Sequence, residues 1–153
     1  MAGVCGLVSE ACQLWSLEAE QEVVVGGFSQ GGHLALHAVY GAGLAVRAAF
    51  ALSSFLVRRS SGETIATSPE AFSDHLADQF YFSVFSVDHG SDVPLYLSTG
   101  AEDSMVEAGW VEDTAVRLAG RRVEVSNHVR PGLQHEMEAD QLQHLFAWLV
   151  KNS

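Results

Sequence analysis

The sequence predicts an α/β fold, with a mostly parallel sheet of about four strands flanked by helices. Two observations carry this reading. Short apolar or β-branched runs alternate with stretches of helical periodicity, the pattern of strand–helix–strand units. The first run, Glu22-Val23-Val24-Val25-Gly26-Gly27, is continuous rather than alternating, as in strands covered on both faces of a parallel sheet. A chain of 153 residues suits a single domain with a sizeable core, so residues 1–153 are expected to form one unit.

The elements follow in order. From Val4, the apolar residues Leu7, Val8, Ala11, Cys12, Leu14 and Trp15 recur at threes and fours, with Glu10 and Glu18 opposite. This predicts an amphipathic helix whose stripe faces the core. After the strand at 22–27, Phe28-Ser29-Gln30-Gly31-Gly32 turns the chain into a helix running from His33 to about Tyr40, closed by Gly41 and Gly43. Ala48 to Ser53, Leu95 to Thr99 and Val123 to Ser126 read as three further strands. Glu107 to Ala119 reads as a helix presenting Ala108, Val111, Ala115 and Leu118. Glu138 to Lys151 reads as the closing helix, with Leu142, Leu145, Phe146 and Leu149 as its buried stripe.

The exception is segment 55–94, far longer than the usual connection of ~2–6 residues, and it is expected to be an insertion with structure of its own. Ser68-Pro69-Glu70 has the form of a helix start, and Phe72, Leu76 and Phe80 follow at fours. Phe80, Tyr81, Phe82 and Phe85 are the densest aromatic cluster in the chain. They read first as a satellite core and second as an apolar cover over an acyl groove.

Composition narrows the function. Acidic residues outnumber Lys plus Arg by 19 to 8, so the net field repels a phosphate backbone or an anionic leaflet, and no nucleic-acid partner is expected. No apolar run is long enough to span a membrane. Cys5 and Cys12 fall seven apart in one predicted helix, roughly 10 Å along its axis. That is too far for a disulfide, and reduced thiols suit a cytoplasmic location. His33 and His37 have the i, i+4 spacing of a metal pair. No third ligand accompanies them, so they read as ordinary half-buried or surface histidines, and no metal is expected.

Gly27-Phe28-Ser29-Gln30-Gly31 is a Gly-x-Ser-x-Gly pentapeptide set between a predicted strand and a predicted helix. A serine that attacks a carbonyl must stand clear of the sheet on a tight turn. Both flanking glycines are expected where a Cβ would clash, and the Gln30 N–H is aimed at the developing oxyanion. Such a serine needs a base held by an acid, and in this class of fold the chain order is Ser, acid, His. Asp103 lies just past the Leu95 strand, with Glu102 as its substitute and an N-capping role for the Glu107 helix as its competing reading. His135 lies just past the Val123 strand, with His128 as its nearest rival.

Gly26-Gly27-Phe28-Ser29-Gln30-Gly31-Gly32, the Gly-x-x-Asp-x-x-Val form of Gly100 to Val106, and Gly132-x-x-His135-Glu136 occur together and in order. They resemble the acyl-protein thioesterase and lysophospholipase-like carboxylesterase family of α/β hydrolases. Phe50-Ala51-Leu52-Ser53-Ser54-Phe55-Leu56 is most similar to its lysophospholipase-like branch. The resemblance implies hydrolysis of small-molecule or acyl-protein esters or thioesters without cofactor, through Ser29, Asp103, His135 and the Gln30 N–H. It further implies that this chain corresponds to the C-terminal portion of the fold. The family's second oxyanion donor sits on a His-Gly loop after an early strand, and no such loop precedes Ser29 here. Two expectations follow: an open sheet edge prone to self-association and, as the alternative to an active esterase, a weak or inactive hydrolase serving as an interaction module.

Overall fold

The computed structural model describes residues 2–56 and 92–152. Helix α1 (Ala2–Trp15) and the short α2 (Ala19–Glu22) lead into β1 (Val24–Phe28). Helix α3 (Gln30–Leu36) follows directly and continues as a π-helical turn, His37–Gly41. Then come β2 (Ala48–Leu52), β3 (Leu95–Gly100), α4 (Ala108–Ala119), β4 (Val125–Arg130) and α5 (Ala139–Lys151). The sheet has the order β1-β2-β3-β4 and every pairing is parallel, as the alternation of elements requires. The predicted helix at Ser68 and the aromatic cluster from Phe72 to Phe85 lie outside the described residues.

All four strands point the same way, so the loops leaving them share one edge, where ligands sit in open α/β sheets. Beneath that edge the core is apolar on both faces. Leu36, Val39, Ala49, Leu95, Leu97, Val111 and Leu118 form the larger cluster. On the other face Leu52, Tyr96 and Leu145 form the smaller one, with Phe28, Phe50 and Trp148 against it. Every residue of β3 is buried, as befits an inner strand.

Several elements differ from the sequence reading. The helix after the elbow starts at Gln30 rather than His33, because Gly31 and Gly32 are taken up as helical residues. In α1 no described residue is fully buried, and Leu7, Leu14 and Trp15 are 67%, 77% and 67% exposed. Only the side with Val4, Cys5, Val8, Ala11 and Cys12 is half covered. The valines of β1 are likewise half-buried, since β1 lies at the end of the strand order and, among the described residues, nothing pairs with its other side. In α5 the stripe is rotated: Gln141 and Leu145 are buried and Trp148 half-buried, whereas Phe146 is 62% exposed. Gln141 is drawn inward by donating from Nε2 to the Ser98 hydroxyl, 3.0 Å away, a contact invisible in a hydropathy pattern. The last strand begins at Val125 and runs on to Arg130, which places His128 within it.

Candidate active site

The three candidate residues leave three different strands. Ser29 stands between β1 and α3 with φ 51° and ψ −118°, a left-handed backbone that a non-glycine residue rarely adopts and that costs on the order of 1–3 kcal/mol. Neighbours hold it there. Its N–H donates to the Leu52 carbonyl at 2.8 Å, its own carbonyl accepts the His33 N–H at 3.0 Å, and the same carbonyl accepts the Ser54 hydroxyl. The glycines around it divide. A Cβ on Gly27 would stand 2.6 Å from the main chain of Gly31, and one on Gly32 would stand 2.7 Å from Ser54 Oγ. A Cβ on Gly31 would meet nothing within 4 Å, so the expected clash at that glycine is corrected: the close approach falls one residue later.

Asp103 and His135 are brought together by joining their loops. The Ala101 N–H donates to the Arg130 carbonyl at 2.8 Å and the Glu102 N–H to the Leu133 carbonyl at 3.1 Å. A Cβ on Gly100 would lie 1.9 Å from that Leu133 oxygen, so only glycine lets the two loops approach. His135 Nδ1 then lies 2.8 Å from Asp103 Oδ2, and its Nε2 lies 3.1 Å from Ser29 Oγ. A carboxylate can only accept, which puts the proton on Nδ1 and leaves Nε2 to accept from the serine hydroxyl. Phe28 packs beside the imidazole with ring centroids 4.8 Å apart.

Asp103 is 6% exposed. Burial alone would raise its pKa, but the Val106 N–H, the His135 ring, the Met105 N–H and the nearby Ser53 hydroxyl together hold it below the ordinary carboxylate value. Both amide bonds, to Oδ1, are 2.9 Å long. The Ser53 hydroxyl is close enough to favour the anion, although it completes no hydrogen bond of its own. The acid therefore stays ionised at neutral pH with one oxygen free for the histidine. It caps Met105 and Val106 rather than α4, whose N-cap residue Glu107 makes no side-chain cap. Glu102 is exposed.

The rival histidines sit elsewhere. His128 is paired in register with Ser98, bonded through Nε2 to Ser126 Oγ at 3.0 Å and stacked on Tyr96. His33 and His37 lie with ring centroids 4.4 Å apart, and His33 Nδ1–H donates to the Phe55 carbonyl at 2.9 Å, so this nitrogen is engaged in the fold. Among the described residues no three His, Cys, Asp or Glu side chains group as a metal site. No described helix is long and apolar enough to cross a membrane. Sequence reasoning gave no role to Ser53, Ser54 or the Gly100 contact. The Ser-Ser pair ending the second strand was the available signal.

Similarity to known proteins agrees with this architecture. The chain is 26% identical over 160 residues to mouse lysophospholipase-like protein 1, covering 94% of this chain and 56% of that protein. Among solved structures, the fold superposes on the esterase PE8 with a TM-score of 0.72 at 20% identity, covering 98% of this chain and 59% of the esterase. It superposes on a Bacillus cereus carboxylesterase with a TM-score of 0.74 at 14% identity, covering 98% and 58%. The chain thus spans a little over half the length of these relatives. Residues 10–153 match the phospholipase/carboxylesterase family, and the chain, an α/β hydrolase by fold, belongs to it.

Proposed function

We propose that the chain is a serine hydrolase of carboxylic esters or thioesters, acting through Ser29, His135 and Asp103. The observation that carries this reading is the continuous row from Ser29 Oγ through His135 to Asp103, on a family background of ester hydrolases. Ser29 Oγ attacks the acyl carbonyl while His135 Nε2 takes its proton. The Gln30 N–H, at the first turn of α3 and without an intrahelical acceptor, stabilises the oxyanion. As the ester or thioester bond breaks, His135 returns the proton to the leaving alcohol or thiol. Water, deprotonated by His135, then cleaves the acyl-enzyme. Asp103 holds the imidazole tautomer throughout. The domain comprises residues 1–153 with 55–94 as an insertion, and the half-buried free thiols of Cys5 and Cys12 suit the cytoplasm.

A fluorophosphonate probe tests the chemistry: the chain should be labelled at Ser29, and Ser29→Ala should remove the label. An unlabelled wild-type chain sinks the proposal. The second reading is a weak or inactive hydrolase that associates with another chain, and it is favoured by the outer side of β1, with which nothing pairs among the described residues, and by exposed Leu7, Leu14 and Trp15. An open strand edge is a template for pairing. Sedimentation of the purified chain should then show self-association, whereas a concentration-independent monomer with full ester turnover counts against this second reading.

A further inference from the structure

Strand β2 lies between the strand that delivers the nucleophile and the strand that delivers the acid, and its exit touches both. Ser53 is wholly buried, with φ 46°, and donates its N–H to the Ser98 carbonyl at 2.8 Å. Ser54 is 2% exposed, and its hydroxyl donates to the Ser29 carbonyl. The same hydroxyl fills the space where Gly32 lacks a Cβ. Beyond it, Phe55 is held by His33 Nδ1, and Leu56 by Thr114 Oγ1 and Arg117. Each of these residues is tied down, so the Ser54 hydroxyl is delivered from a rigid support.

We infer that Ser54 is a positioning residue for the oxyanion donor, acting through the peptide unit that joins Ser29 to Gln30. That peptide is planar, so the Ser29 carbonyl and the Gln30 N–H point in opposite directions as one rigid plate. Anchoring the carbonyl beneath the turn aims the N–H above it, toward the space over Ser29 Oγ where the oxyanion forms. The carbonyl's other anchor is the His33 N–H at 3.0 Å, and the backbone at Ser29 is itself unfavourable, so losing the Ser54 hydroxyl leaves the plate held by the helix bond alone and freer to tilt. Gly32 also serves this device, because a Cβ there would meet the Ser54 hydroxyl at 2.7 Å as well as the Gly27 carbonyl oxygen at 2.8 Å.

The inference rests on the hydrolase reading, and the test separates the two. Wild type, Ser54→Ala, Ser54→Cys and Ser54→Thr are compared in fluorophosphonate labelling, in p-nitrophenyl ester turnover and in binding of a trifluoromethyl ketone, whose hemiketal oxygen occupies the oxyanion position. Ser54→Cys retains the bulk beneath Gly32 while supplying only a weak donor. The Ala and Cys variants should lose kcat and ketone affinity by about tenfold, less than the ~10²–10³ for deleting a donor outright. KM should be nearly unchanged, and Ser54→Thr should recover most of the loss. Wild-type kcat and ketone affinity in Ser54→Ala and Ser54→Cys overturn the inference while leaving the hydrolase intact. A loss confined to KM, or one that merely follows the unfolded fraction, also overturns it. Failure of the wild type itself to label defeats both readings together.

Discussion

The loop edge of the sheet and the flank formed by α1 and β1 differ in how deeply their described residues are buried. At the loop edge, Asp103 is 6% exposed, Ser53 is wholly buried, and the loops after β3 and β4 share main-chain hydrogen bonds. At the flank, the described residues of α1 include none that is fully buried, and Leu14 and Trp15 present most of their surface to solvent. A cavity of about 630 Å³ lies between α1, α2 and Leu44. Bringing Ser29, His135 and Asp103 together and covering the sheet are separate tasks. The first is met by the loops leaving β1, β2, β3 and β4, whereas, among the described residues, nothing pairs with the outer side of β1.

The sharpest contrast is expected in turnover. Ser29→Ala and His135→Ala should each reduce ester hydrolysis by roughly 10⁴–10⁶ and to about the same floor, because such residues act as a unit. Asp103→Asn should cost ~10⁴ by disturbing the tautomer. Substitutions on the flank, such as Trp15→Ser, should leave the rate per folded molecule unchanged. A flank variant that loses turnover without losing folded protein would break the separation.

Stability should divide along the same line. Leu36 is wholly buried beneath the elbow, and Leu36→Ala should cost ~2–5 kcal/mol in urea unfolding. Acidification should weaken the packed region through His37, whose pKa is lowered to about 4, first by burial and then by His33 and Arg117. The unfolded chain takes up this proton near its ordinary value of ~6.5. The stabilisation is therefore complete above that pH and falls by up to ~1.4 kcal/mol per unit as the pH drops toward 4. Asp103 adds a further loss only below its unfolded pKa of ~3.9, because its folded pKa is lower still. His33 and His128, whose pKa values burial also lowers, act in the same direction, so the gap between urea midpoints at pH 7 and pH 5 should narrow in His37→Gln without closing. An unchanged gap would show that another group carries the acid sensitivity.

The smallest effects should lie on the flank and at one glycine. Leu14→Ser and Trp15→Ser should change unfolding free energy by no more than ~0.5 kcal/mol, while reducing any self-association seen in sedimentation. Gly31→Ala meets open space and should be neutral or stabilising by up to ~1 kcal/mol. Gly27→Ala should instead be severely destabilising, since its Cβ would meet main chain at 2.6 Å. Equal losses at the two glycines would mean that the turn is tighter on its helix side than the contacts indicate.

The sequence by itself determined the features that are local. The alternation of strand and helix runs, the Gly-x-Ser-x-Gly turn between them, and an acid and a histidine just past later strands are written in residue type and spacing. A parallel sheet with its loops on one edge follows from them, and so does the placing of Ser29, Asp103 and His135 along that edge. Tertiary structure decided whatever depends on the element lying opposite. It kept His128 inside β4 against Ser98 and Tyr96, turned Gln141 inward and Phe146 outward on α5, and left Leu7, Leu14 and Trp15 of α1 uncovered. It also chose Gly32 rather than Gly31 as the point of closest approach and set the Ser54 hydroxyl beneath the Ser29 carbonyl. Hydrophobic period reports which residues can be buried, but burial itself requires a second surface, and that surface comes from a part of the chain remote in sequence.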